Sequence, residues 1–213
     1  MPIGIVVGMA AEARIARRLG WKVAIGGGTA AGAEAAARSL LTQGAASLIS
    51  CGLAGGLDPT LHPGTIIVAN AVLSDDERYS TEPELSRLLQ GPTPHLLLST
   101  KSIAATTADK HRLWQQTGAA AVDQESGAVA RVASLHDLPF AVLRVICDPA
   151  DRSLPPAALA ALDPHGAISI QRVLASVMRH PGQLPTLMRL AADAAAAQRS
   201  LRAQVNRIAR SRA

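Results

Sequence analysis

The stretch PFAVLRVICD, residues 139–148, is almost unbroken in apolar side chains. A strand of that kind is at home in a layered α/β domain, where both faces of the sheet are covered. Shorter apolar runs precede it: IGIVV at 3–7, KVAI at 22–25, ASLIS at 46–50, HPGTIIVANAV at 62–72 and HLLLST at 95–100. Segments of helical period lie between them. AGAEAAARSLLTQG closes at Gly44, and TADKHRLWQQTG opens with Thr107 as N-cap and closes at Gly118. QESGAVARVASLH follows the extended AAAVD, and DPHGAISIQRVLASVMRH, residues 163–180, reads as a further helix. SCGLAGGL reads as a strand that runs into a glycine-rich loop, while residues 74–94 show no firm pattern. Strands alternating with helices predict an α/β layered domain.

Composition narrows the function. Of 213 residues, 48% are hydrophobic, enough for a substantial core. Aromatic residues are only Trp21, Tyr79, Trp114 and Phe140. That scarcity argues against single-stranded nucleic-acid binding, which stacks bases on aromatic rings. Cys51 and Cys147 cannot form a disulfide framework and suit a reducing cytoplasm. The first residues place an apolar run before the basic ones, the reverse of a signal peptide, and no apolar stretch is long enough to span a bilayer. A cytoplasmic protein is expected. The net charge of +5 resides in the C-terminal segment, since Arg179 and the six arginines after it face only Asp193. We therefore divide the chain into a domain over residues 1–183 and a basic amphipathic helix over 184–213. Leu187, Ala191, Ala194, Ala197, Leu201, Val205 and Ile208 form its apolar stripe. Docking on the domain or on a second subunit, or contact with an anionic membrane surface, both fit such a helix.

Ligands in layered α/β folds collect where strands end. Glu12 follows the first run, Asp123 and Glu125 follow AAAV, and Asp148 ends the 139–148 strand. Each acid alone suits a helix start or a turn; three strand ends carrying acids point to a site. Gly52, Gly55 and Gly56 leave backbone N–H groups uncovered, which fits an anion, a sugar edge or a close-packed turn. IGGGTAAG has the spacing G-x-G-x-x-x-G, too long for a dinucleotide fingerprint, and reads as a tight turn. The six histidines are scattered and no CxxC occurs, so no metal site is expected. No nucleophile elbow is present.

IGIVVGMAAEA, SCGLAGGL with PGTIIVA, VDQESGAVA and RVICDPAD, in that order, resemble the motifs of the nucleoside phosphorylase and nucleosidase superfamily over residues 3–151. The resemblance implies a three-layer αβα sandwich around a mixed central sheet and cleavage of the N-glycosidic bond of a purine nucleoside. It gives Asp148 the role of general acid at adenine N7, Glu125 that of clamp on the ribose 2′- and 3′-hydroxyls, and Glu12 that of activating water. Gln124, Gly52, Leu53 and Ala54 join Glu125 in the substrate-binding set, and Asp123 remains as a cap of the following helix. VDQESGAVARVA, DPADRSLPPAALAALDPHG and the basic C-terminal helix are most similar to the hopanoid-associated phosphorylase branch, which implies adenosylhopane as substrate. Three departures stand out: Gln124 replaces a common Met, Leu53 replaces a Ser, and Ser50 stands where phosphate-using enzymes carry Arg. Phosphate would then rely on the CGLAGG backbone, Arg14 or the GGGT turn, so water and phosphate both remain open as acceptor. No cofactor is implied beyond phosphate as co-substrate. The expected partners are an adenine nucleoside, lipid-linked in the hopanoid case, an anionic membrane face, and further copies of the chain in a homo-oligomer; nucleic acid is not among them. Two rivals are a soluble methylthioadenosine/adenosylhomocysteine nucleosidase and a non-catalytic nucleoside-binding protein with a polyanion-binding tail.

Overall fold

In the computed structural model, described over residues 2–91, 93–161, 176, 178, 179 and 181–212, a central sheet of nine strands is covered on both faces. β1 (Ile3–Val7), β2 (Lys22–Ile25), β3 (Ser47–Gly56) and β9 (Phe140–Asp148) run parallel in the order β2-β1-β3-β9. β4 (Ile66–Val68) adds antiparallel to β9. Beyond β3 the order continues through β8 (Ala121–Asp123), β7 (Leu96–Ser99), β5 (Ala71–Ser74) and β6 (Glu77–Ser80), with β3 and β8 antiparallel. The sheet is therefore mixed, and the fold is the three-layer sandwich expected.

Alternation along the strands builds two cores. Leu48, Ala54, Phe140, Val142 and Ile146 face α2 (Ala30–Thr42) and α5 (Ser126–Leu135). Ile49, Cys51, Ala141, Leu143 and Val145 face α1 (Ala10–Ala16), α3 (Pro83–Leu88) and α7 (Leu184–Arg210), with α4 (Thr107–Thr117) and α6 (Pro156–Ala161) lying near the strand ends. With so few aromatics, close packing comes from alanine: Ala33, Ala36 and Ala37 of α2 meet Ala128, Ala130 and Ala133 of α5.

Several local expectations change. SCGLAGG is strand throughout, because β9 and β8 pair with it and hold the glycines extended despite a bulge at Ala54/Gly55. HPGTIIVANAV divides into β4 and β5, and residues 74–80 form a hairpin whose Asp75 and Asp76 adopt φ of 47° and 64°. The N-cap of α4 is Thr106 rather than Thr107; its hydroxyl accepts the Asp109 N–H at 3.0 Å. The helix read over 163–180 lies almost wholly outside the described residues.

α7 changes character along its length. Ala197, Leu201, Val205 and Ile208 are fully buried against the sheet and α1, whereas Leu184 and Met188 near its start are largely exposed. Gln204 donates to the Leu89 carbonyl at 2.9 Å, and the Arg212 guanidinium lies 4.5 Å from the Trp21 ring centroid. No described helix is long and apolar enough to cross a membrane.

Candidate active site

Parallel pairing places the carboxyl ends of β1, β3 and β9 side by side. A cavity of about 280 Å³ opens there, and Glu12, Glu125 and Asp148 all line it. Leu53, Ala54 and Gln124 also reach its wall. Gly52 does not. It sits behind the wall, in register with Arg144 across the β3–β9 pair. A Cβ on Gly52 would stand 2.5 Å from Arg144 Nη1 and 2.8 Å from Glu12 Oε1, so its bare backbone makes room for both side chains.

Arg144 was not singled out from the sequence, although it is the one charge inside the apolar core of the 139–148 run. Its side chain is buried between β3, β9 and α5. Nε lies 2.8 Å from Asp123 Oδ2, and Nη2 donates to Ser50 Oγ at 2.7 Å, to Ser126 Oγ at 3.1 Å and to Glu125 Oε2 at 3.5 Å. Nη1 is buried with no hydrogen-bond partner among the described residues. Burial opposes its charge, but Asp123, Glu125 and Glu12 outweigh that and hold the guanidinium pKa above its ordinary value. Asp123 does more than cap. Oδ1 accepts the Glu125 and Ser126 N–H groups at 3.2 and 3.1 Å, while Oδ2 faces Arg144. Ser50, at the position of the missing arginine, thus accepts a hydrogen bond from Arg144.

Glu125 sits at the start of α5, where Gly28 donates to Oε1 at 3.2 Å. Gly27 and Gly28 adopt φ of 73° and 74°, and the GGGT turn bends its backbone toward this carboxylate. Burial pushes the Glu125 pKa up to about 7, Arg144 pulls against it, and Glu12 and Asp123 add to the rise. Glu12 occupies the first turn of α1, where Oε2 accepts the Met9 N–H at 2.9 Å and Oε1 the Leu53 N–H at 3.0 Å. Arg14 is exposed on α1 and does not line the cavity.

Asp148 ends β9 and also lines the cavity. Its pKa is raised by burial against the opposing pull of Lys110, whose Nζ lies 2.7 Å from Oδ2. Lys110, Ile103, Leu154 and Leu190 carried no signal in sequence; Ile103, Leu154 and Leu190 add apolar surface to the cavity lining. Cys147 beside Asp148 is no nucleophile, since burial pushes its thiol up to about 12. Among the described residues, no cluster of three metal-ligating side chains occurs. A narrower cavity of about 70 Å³ beside Ser74, Tyr79 and Arg131 contains none of the three acids.

The sequence profile of the Phosphorylase superfamily matches residues 5–95 and 79–179. The chain belongs to the Phosphorylase superfamily. Solved structures of the same fold include a futalosine hydrolase mutant of Helicobacter pylori, 17% identical, with a TM-score of 0.67 over 96% of this chain and 98% of that one. A putative methylthioadenosine nucleosidase from Weissella paramesenteroides is 18% identical, with a TM-score of 0.67 over 98% of each chain. A 5′-methylthioadenosine/S-adenosylhomocysteine nucleosidase from Colwellia psychrerythraea, in complex with adenine, is 17% identical with a TM-score of 0.63, over 90% of this chain and 94% of that one. No curated protein sequence matches. Within the superfamily fold, all three strand-end acids of this member share one cavity.

Proposed function

We propose that this protein cleaves the N-glycosidic bond of an adenine nucleoside and releases adenine, with water as acceptor. One observation carries the reading: Glu12, Glu125 and Asp148, which stand at the ends of three different strands, line a single cavity. Breaking the bond between C1′ and N9 leaves electrons on the base and positive charge on the ribose. Asp148, whose pKa burial raises against the pull of Lys110, gives its proton to N7 as the base departs. Glu125 accepts the ribose hydroxyls, and such charged hydrogen bonds accelerate the reaction when they tighten in the transition state. Glu12 takes the proton of the attacking water.

Charge favours water over phosphate. Three acids besides the proton donor, Glu12, Asp123 and Glu125, line the cavity, and Arg14 is exposed on α1 outside it. Arg144, the cation beside the ribose-side acids, is already committed to Asp123 and Glu125. A phosphate dianion would meet net repulsion there. The structural relatives named as nucleosidases and a hydrolase agree with this acceptor.

The apolar part of the cavity lining favours a nucleoside with an apolar 5′ substituent. Ile103, Leu154 and Leu190 line it, and Leu184 and Met188 lie exposed further along α7. We assign adenosylhopane as the preferred substrate, with its tail along α7 and the arginines of that helix against an anionic membrane face; methylthioadenosine is the soluble rival.

Adenine release is measured by chromatography from adenosylhopane, methylthioadenosine and adenosine, with and without phosphate. The expected products are adenine and an unphosphorylated sugar, unaffected by phosphate. Asp148→Asn is expected to slow release by about 10²–10⁴-fold while substrate still binds. A phosphorylated sugar product overturns the choice of water. No adenine from any nucleoside, or near-normal turnover by Asp148→Asn, overturns the mechanism.

A further inference from the structure

The one fully buried residue of α4 is a lysine. Lys110 is 0% exposed, and its ammonium meets three oxygens: Asp148 Oδ2 at 2.7 Å, the Pro149 carbonyl at 2.8 Å and the Arg152 carbonyl at 2.7 Å. All three belong to residues 148–152, the end of β9 and the loop after it. A methionine or leucine would fill this space more cheaply than an ammonium, and a glutamine could serve the carbonyls. What neither supplies is a fixed positive charge on one oxygen of Asp148.

Among the described residues, the other charged and titratable groups near Asp148 are the following. Arg152 of the same loop pairs with Asp193 of α7. Cys147 precedes it on β9, and Glu12, Asp123 and Glu125 line the cavity from α1 and the β8–α5 junction. Among the described residues, Lys110 is the fully buried cation facing Asp148.

We propose that Lys110 is a positioning residue for base departure: it grips Asp148 by Oδ2, leaves Oδ1 to meet the leaving base, and sets the pH above which Asp148 has no proton to give. This rests on the reading of Asp148 as general acid. The proton passes from Oδ1 to N7 as the C1′–N9 bond breaks and its electron pair goes to the base. The carboxylate left behind faces the ammonium, so the contact strengthens as the proton leaves. The direction found for Asp148, upward by burial with Lys110 opposing, agrees with such a role.

The test follows the Asp148 carboxyl by NMR in protein labelled with ¹³C-aspartate, its signal assigned by its loss in Asp148→Asn. In Lys110→Met the titration midpoint is expected to rise by about one pH unit or more, and in Lys110→Arg to stay near wild type. An unmoved midpoint in Lys110→Met overturns the proposal. Lys110→Gln, which keeps donors for the two carbonyls, carries the same test if the Met variant does not fold. A third measurement leaves position 110 intact: a Lys110 ammonium ¹⁵N resonance identical in wild type and Asp148→Asn also overturns it. In adenine release, Lys110→Met is expected to lower kcat with little change in KM and to move the alkaline limb upward with the midpoint. A moved midpoint with an unmoved limb removes Lys110 from the step. If the wild type releases no adenine, the functional reading fails, while the midpoint still decides whether Lys110 governs Asp148.

Discussion

Arg144 and Lys110 are both buried cations paired with acids that line one cavity, but they keep different company. The Arg144 fork joins β9 to Ser50 of β3 and to Asp123, Glu125 and Ser126 around the start of α5. It faces several carboxylates at once, and burial, with Glu12 and Asp123 adding to it, lifts Glu125 to about 7. The Lys110 ammonium, a point charge on a flexible stem, serves one carboxylate and the loop behind it. The Arg144 side is therefore built as a shared network that locks strands and helix together. The Lys110 side is built as a pair with a single carboxylate.

The largest expected effect breaks the shared network. Arg144→Met strands Asp123 and Glu125 in the interior without their counter-charge, and should cost about 3–5 kcal/mol in urea denaturation. A loss below about 1 kcal/mol would show that Arg144 holds the two strands and α5 together no better than a surface pair does.

A smaller effect sharpens the contrast through pH. The Glu125 carboxyl, ordinarily near 4.5, titrates at about 7 in the fold. Between those values the folded chain keeps a proton that the unfolded chain releases. This contribution is complete below pH 4.5 and is lost as pH rises through 7. Between pH 5 and 8, wild type should lose about 2–3 kcal/mol relative to Glu125→Gln. Parallel stability curves for the two proteins would mean that burial and the neighbouring carboxylates do not raise Glu125.

The smallest effect probes how tightly the network is packed. Gly52→Ala places a methyl group against Arg144 Nη1 and Glu12 Oε1 and should cost about 1–2 kcal/mol, read as a lowered Tm. An unchanged Tm would show that the guanidinium has room to give way.

Much of this protein is legible locally. The runs at 3–7 and 139–148, the stops at Gly44 and Gly118, and the acids after three strands follow from periodicity, from φ > 0 at glycine and from chain order. SCGLAGG misled as a loop because its extended conformation is imposed by strands distant in sequence. Gln124 and Leu53 were placed on the site by family resemblance and do reach the cavity wall. Arg144 carried a signal that passed unread, a single charge in a buried strand. Lys110 carried none, since one lysine in a polar helix looks solvated.

The sequence by itself determined the layers, the order of elements and which acids stand at strand ends, because these depend on residues within a few positions of one another. Only the tertiary structure decided which cation faces which acid. The register of β3 against β9 sets Gly52 beside Arg144, and the seat of α4 drives Lys110 into Asp148. Charge strength in a protein depends on burial and on neighbours brought from afar, and neither is written in a local pattern.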